Sequence, residues 1–235
     1  MSMPVVFVHG IRLSGTMWSP VRALLRAPSA APDLPGHGRR RGLPYGTEAA
    51  CDVVAETIAG LGGRALVVGL SLGGYVGIAA AARHPDLVAG LVAVGCTARP
   101  DRPRAHAYRL AGRLAARNPA LVDRVSRFAL RRMLPGAAGE AMIEGGLSSE
   151  VVASVVAAVM AEDPLASLAA YPGRVWLLNG ARDPFRVDES AFLRACADGS
   201  LAHLQGRGHL TVLADPAGLA RFIDKAAEDV SACAA

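Results

Sequence analysis

Lysine is almost missing from this chain: of 25 basic residues only Lys225 is a lysine, and the other 24 are arginines. With alanine and glycine abundant as well, this reads as a coding bias. No basic run is interleaved with aromatics, so the net charge of +5 is no nucleic-acid signature, and no nucleic-acid partner is expected. Cysteines are few. Cys51, Cys96, Cys196 and Cys233 share no C-x-x-C spacing and have no histidines clustered beside them, which excludes a zinc-finger or dithiol centre. Long hydrophobic runs are absent too: stretches such as Ile78 to Ala82 are far too short to span a bilayer, so no membrane span is expected. The start, Met1-Ser2-Met3-Pro4, has neither a basic n-region nor a small-residue cleavage site, so no signal peptide is read and a cytoplasmic location is expected. Neither low-complexity tracts nor a fixed repeat period interrupts the chain.

What is present is apolar material in short pieces. The chain has 235 residues, 52% of them hydrophobic, enough for one sizeable core carrying an insertion. Strands are read at residues 5–9, 66–69, 91–95, 175–179 and 201–204, with a weaker one near 27–31. Helical stretches at 18–26, 47–61, 72–84, 188–197 and 215–230 alternate with them. That alternation is the βαβ pattern of a doubly wound parallel sheet buried on both faces. His84-Pro85 ends one helix, while Asp215-Pro216 opens another with an N-cap residue followed by proline at the first helical position.

Residues 97–174 break the alternation. Helical spacings (Leu121, Val125, Phe128; Val151, Val152, Val155, Val159) are punctuated by Pro119, Pro135-Gly136, Gly145-Gly146 and Pro164. The expected organisation is a core of residues 1–96 and 175–235 with a helical lid, 97–174, inserted past the carboxyl ends of the strands.

One motif carries chemistry. Gly69-Leu70-Ser71-Leu72-Gly73 matches G-x-S-x-G and lies between a strand and a helix, the context in which such a serine is exposed on a sharp, strained turn. Free N–H groups at the helix start would face any oxyanion formed there. A serine hydroxyl needs a base. His209, in the glycine-rich Gly206-Arg207-Gly208-His209 between the last strand and the last helix, has the right place in the chain order serine, acid, histidine. Otherwise it is a solvent-exposed loop histidine. Asp183, after the strand at 175–179, is the candidate to orient the base, with Asp188 (better suited to cap the next helix) and Asp101 as rivals. The backbone N–H groups of Ile11, after the first strand, and Leu72 are the expected oxyanion donors. Ile11, Leu70, Tyr75, Phe185 and Leu210 are candidate pocket walls.

Five segments in this order resemble the α/β-hydrolase superfamily over nearly the whole chain outside the lid. They are Phe7-Val8-His9-Gly10, Asp33-Leu34-Pro35-Gly36-His37-Gly38, Val68 to Gly74, Asn179 to Pro184, and Gly206 to His209. The resemblance implies that Ser71, Asp183 and His209 form the triad, that Ile11 and Leu72 give the oxyanion N–H groups, and that His37 is structural. Small serine esterases and 3-oxoadipate enol-lactonase-like members look most similar. Dehalogenases and epoxide hydrolases of the superfamily carry aspartate where this chain has Ser71. Members usually begin with an antiparallel hairpin; here the chain starts on the His-Gly strand, so a shortened sheet of about six parallel strands is expected, with residues 27–31 at its edge.

The implied function is hydrolysis of a carboxylic ester or lactone of a small apolar substrate, with no cofactor and no metal. Thioesterase action on carrier- or coenzyme A-bound acyl groups, and lyase or C–C hydrolase chemistry by the same triad, are the alternatives; for a lyase, Arg12 or Arg186 would supply a pocket cation. Between Thr97 and Pro135 ten arginines stand against Asp101 and Asp123. Arg102, His106, Arg109, Arg113 and Arg117 share one helix face. A solvated face is the plain reading, and a docking surface for an acidic carrier protein the sharper one.

Overall fold

The computed structural model describes residues 2–101 and 103–232. Arg102 and Cys233, named above, lie outside the described residues, as does the side chain of Arg104. Six strands form one sheet: β1 (Val5–Val8), β2 (Ser29–Ala30), β3 (Ala65–Leu70), β4 (Val88–Val94), β5 (Arg174–Gly180) and β6 (Asp198–Leu204). Their order is β2-β1-β3-β4-β5-β6 and every pairing is parallel. Among the described residues no strand pairs outside β2, so the shortened sheet ends on the edge expected near residues 27–31.

Strand alternation builds two cores. Val5 and Phe7, Leu66 and Val68, and Val92 and Val94 face one side of the sheet; Val6 and Val8, Val67, Leu91 and Ala93 face the other. The first layer is closed by Met17, Trp18, α1 (Ser19–Arg22) and α10 (Pro216–Ala232). The second is closed by α2 (Thr47–Gly60), α3 (Leu72–Arg83) and α9 (Glu189–Ala195). Between β4 and β5 run α4 (Pro103–Ala115), α5 (Pro119–Met133), α6 (Ala137–Glu144), α7 (Val152–Met160) and α8 (Pro164–Ala170). Of these, α8 packs on α3 and α9 and extends the second layer.

Three of the helices start on the same local chemistry. Asn118-Pro119, Asp163-Pro164 and Asp215-Pro216 each place a capping side chain before a proline: Asn118 accepts Leu121 N–H, Asp163 accepts those of Leu165 and Ala166, and Asp215 accepts that of Gly218.

Three elements differ from the sequence reading. The helix expected at 18–26 is a 3₁₀ turn (Gly15–Trp18) followed by one α turn ending at Arg22. There the Arg22 guanidinium donates to Ser29 O (2.8 Å), and Val5 N–H to Pro28 O, so the chain is already committed to the sheet edge. The strand read at 91–95 begins at Val88, directly after a turn closed by Leu87 N–H to His84 O. The last strand starts at Asp198, because an edge strand tolerates the polar Asp198-Gly199-Ser200 that periodicity rejects.

Candidate active site

The β3–α3 junction makes Ser71 the highest-strain point of the core. Its φ is 55° and ψ is −114°, a backbone state costly for a residue with a Cβ. Three glycines allow it. A Cβ on Gly69 would overlap the Gly73 carbonyl, one on Gly73 the Val8 carbonyl, and one on Gly74 the Cys96 sulfur. The elbow is thus wedged between the ends of β1 and β4, and Ser71 N–H is tied to Val94 O at 2.8 Å. Strain held by surrounding backbone on all sides persists.

Asp183 and His209 come from the next two loops along the sheet. The Asp183 side chain is buried; its Oδ1 accepts Phe185 N–H and its Oδ2 contacts His209 Nδ1, each at 2.8 Å. A carboxylate only accepts, so the proton sits on Nδ1 and the Nε2 lone pair is left for another partner. The two loops are laced together by Ala181 N–H to Leu204 O and Arg182 N–H to Arg207 O. Gly95, at φ +62°, lets the end of β4 pass beneath the pair; a Cβ there would lie 3.0 Å from Asp183 Oδ2 and 3.1 Å from the His209 ring. The Phe185 ring covers that of His209, centroids 4.7 Å apart. Among the described residues no hydrogen bond joins Ser71 Oγ to His209, but both side chains open onto one cavity, and such contacts tighten when substrate binds.

The same cavity exposes Ile11 and Leu72. Neither backbone N–H has an acceptor among the described residues. The Ile11 loop is set by His9, which acts as a clamp. Its Nε2 accepts Leu34 N–H (3.0 Å), so Nδ1 carries the proton and donates to Gly10 O at 2.9 Å. Burial, with His37 stacked 4.9 Å away, lowers the His9 pKa to about 3 and keeps the ring neutral. His37 itself is buried and bonded to Pro35 O, in keeping with a structural part.

Arg12 follows in a left-handed conformation (φ 69°) and reaches across to α5. It donates to Ser126 Oγ at 2.7 Å and lies 3.5 Å from the buried Asp123, which also accepts the Ser149 hydroxyl. The loop after β1 and the inserted helices are therefore bolted together. No spacing in the sequence announces this contact, 114 residues apart. A second network missed by the sequence reading lies behind Asp183. Asn179 donates to Thr97 and to Glu189, and Glu189 in turn holds His203 and Arg186.

The cavity measures about 880 Å³ and its lining is mostly apolar. Ile11, Tyr75, Phe185 and Leu210 line it as expected. Leu70 does not: it is fully buried in the core beneath the elbow, because strand alternation turns it away from the cavity. Tyr108 of α4, Leu130 and Met133 of α5, and Val155 and Val159 of α7 form the far wall. The rival acids stand elsewhere in role. Asp188 occupies the N-cap position of α9, yet its carboxylate accepts Arg99 N–H rather than the helix start, and Asp101 is exposed and paired with Arg99. Cys51 and Cys96 are buried with thiol pKa values pushed up by burial, and Cys196 is half-buried. Among the described residues no three histidine, cysteine or acidic side chains converge as metal ligands would.

Known proteins resemble this chain in fold and in sequence. The structure of a thermophilic esterase from Thermogutta terrifontis superposes with a TM-score of 0.81 at 26% identity, over 98% of this chain and 91% of that one. An esterase of Mycobacterium tuberculosis is 39% identical over 97 residues, 40% of this chain and 33% of that protein. The pimeloyl-[acyl-carrier protein] methyl ester esterase of Neisseria meningitidis is 40% identical over 98 residues, 40% of this chain and 37% of that protein. The matched stretch thus spans about a third of the length of these curated relatives. Residues 5–222, from the first strand into the last helix, match the alpha/beta hydrolase family, and the chain belongs to that family.

Proposed function

We propose that this protein is a serine hydrolase that cleaves carboxylic esters of small, largely apolar acyl groups through an acyl-enzyme on Ser71. The observation that carries the reading is the convergence of Ser71, the Asp183–His209 pair and two unclaimed backbone N–H groups on one apolar cavity. Two similar proteins being esterases by name points the same way.

In this reading His209 Nε2 takes the Ser71 proton as Oγ attacks the ester carbonyl carbon. The Ile11 and Leu72 N–H groups hold the resulting oxyanion. His209 then returns the proton to the departing alkoxide, which leaves as the alcohol. Water repeats the sequence on the acyl-enzyme: His209 takes its proton, hydroxide adds to the carbonyl, and collapse returns Ser71 and the carboxylic acid. Asp183 holds the ring in the required tautomer throughout.

The lyase alternative needs a free cation in the pocket. Arg12 is engaged by Asp123 and Ser126, and Arg186 by Glu189 and Ala181 O, so neither supplies one. The test is fluorophosphonate labelling followed by a screen of p-nitrophenyl esters, thioesters and lactones. Labelling confined to Ser71, with ester turnover abolished in Ser71→Ala, is expected. Turnover retained by that variant overturns the reading.

A further inference from the structure

Two of the inserted helices, α4 and α5, carry apolar side chains outward. On α5, Leu121, Val125 and Phe128 recur at spacings of four and three, one stripe on the helix, and they are 45%, 60% and 71% exposed. The opposite face of the same helix buries Asp123 and Leu130. On α4, Leu110 and Leu114, four apart, are more than half exposed. Helices of a water-soluble core place their residues the other way round. The exposed apolar surface does not stop at the stripe: Tyr108, Met133, Phe185 and Val187 are exposed too, and all four line the mouth of the cavity over Ser71.

Around these stripes the charge has one sign. Arg113 on α4, Arg117 in the turn that follows it, and Arg124 and Arg132 on α5 are exposed and have no ion-pair partner among the described residues. By helical spacing Arg132 lies within the stripe of Leu121, Val125 and Phe128, and Arg124 lies beside it. Asp101 is engaged with Arg99, Asp123 inward with Arg12, and Glu140 with Arg131, while Glu144 at the end of α6 is exposed.

We propose that α4 and α5 dock this protein onto an anionic phospholipid surface, with the apolar stripes entering the acyl boundary and the arginines meeting lipid phosphates. Apolar side chains fringed by unpaired arginines on a helix face are the arrangement that lies in a lipid interface, and guanidinium groups match phosphate geometry. A second copy of this chain fits less well, since a two-fold contact would set these same arginines against each other. An acidic carrier protein would satisfy the arginines but leave unexplained why, among the described large hydrophobic side chains, the most exposed is Phe128. With the mouth opening among the docked residues, ester would pass from the lipid to Ser71; that corollary rests on the proposed hydrolase activity, whereas docking itself does not.

The experiment is vesicle co-sedimentation with the Ser71→Ala protein, so that binding is read without turnover and stands or falls separately from catalysis. Vesicles of phosphatidylcholine alone are compared with vesicles doped with phosphatidylglycerol. Binding to the doped vesicles should weaken by more than about fivefold for each arginine reversed in Arg124→Glu and Arg132→Glu, since removing one positive charge alone is worth about that factor. It should weaken about tenfold or more in Leu121→Ser/Phe128→Ser, with circular dichroism unchanged. Equal partition onto both vesicle types, or none onto either, overturns the proposal. So does binding to an acidic acyl carrier protein in place of vesicles, or a dimer in sedimentation that Phe128→Ser dissociates.

Discussion

The sheet and the first two helices inserted between β4 and β5, α4 and α5, obey opposite rules. In the sheet every strand residue from Val5 to Val8 and from Ala65 to Leu70 is buried, and the reactive positions hang on turns that glycines force into one shape. In the insertion, α5 buries an aspartate and shows water a phenylalanine. The proposed chemistry depends on backbone placement and sits on the first, and the proposed docking depends on side-chain surfaces and sits on the second. The largest effect should therefore come from the sheet side. Ser71→Ala should lower kcat/KM on a short p-nitrophenyl ester by about 10⁴-fold or more, and Asp183→Asn by about 10⁴-fold through loss of the correct His209 tautomer. Steady-state kinetics on folded variants checks both. A loss confined to KM would place these residues in binding and break the comparison at its root.

The elbow can also be attacked through its backbone. Gly73→Ala puts a methyl group into the Val8 carbonyl, with no side chain able to yield. The cost should exceed the ~1–3 kcal/mol typical of overpacking, and the variant should lose its cooperative thermal transition or melt far below the parent. Gly42→Ala, at an open surface turn where φ is +90°, tests strain without collision and should cost about 1 kcal/mol.

That contrast explains what was readable in the sequence. Ser71, Asp183 and His209 could be named because the chain order and the glycines at 69, 73 and 206 are dictated by the turns themselves. The strand edge near residue 29 was legible from its prolines. The Arg12–Asp123 contact was not, because it joins residues far apart through side-chain reach alone. Nor was the outward stripe of α5: periodicity finds an amphipathic helix but not which way it faces. The apolar spacing of Leu121, Val125 and Phe128 would, by pattern alone, have been assigned to the interior.

Where the two regions meet, Arg12 is the test. Arg12→Gln leaves Asp123 buried with a weaker partner and should cost about 2 kcal/mol, read as a lower thermal midpoint. Because Arg12 adjoins Ile11, kcat should fall while KM for a small soluble ester changes little. Asp123→Asn, which keeps a partner for Ser149, should be milder. Equal effects of the two variants on KM alone would show that the bolt serves the cavity wall and not the oxyanion side.

Acid probes the sheet side more gently. His9 is neutral in the fold because burial and His37 lower its pKa to about 3, whereas the unfolded chain takes up that proton near pH 6.5. Between those values the unfolded state binds more protons, so stability is full above about pH 6.5 and declines as the pH falls toward 3. Thermal midpoints from pH 7.5 to 4 should show the decline. His9→Asn should start lower at pH 7.5 and decline less steeply, and ring chemical shifts should report His9 unprotonated at pH 4.5. A ring that titrates near 6.5 in the folded protein would mean that the clamp on Gly10 is loose.

The smallest effect lies within α5 itself, where its two faces can be set against each other. Leu130 is buried against the core and Phe128, two residues earlier, is 71% exposed. Leu130→Ala should cost about 2–5 kcal/mol, since it empties packed volume. Phe128→Ser should fall within about 0.5 kcal/mol of the parent in denaturant unfolding, though it removes the larger side chain. Exposure, not size, sets that order. Were Phe128→Ser to destabilise the free protein as Leu130→Ala does, the outward face of α5 would be packed against something in solution already, and its service as an open docking face would have to be abandoned.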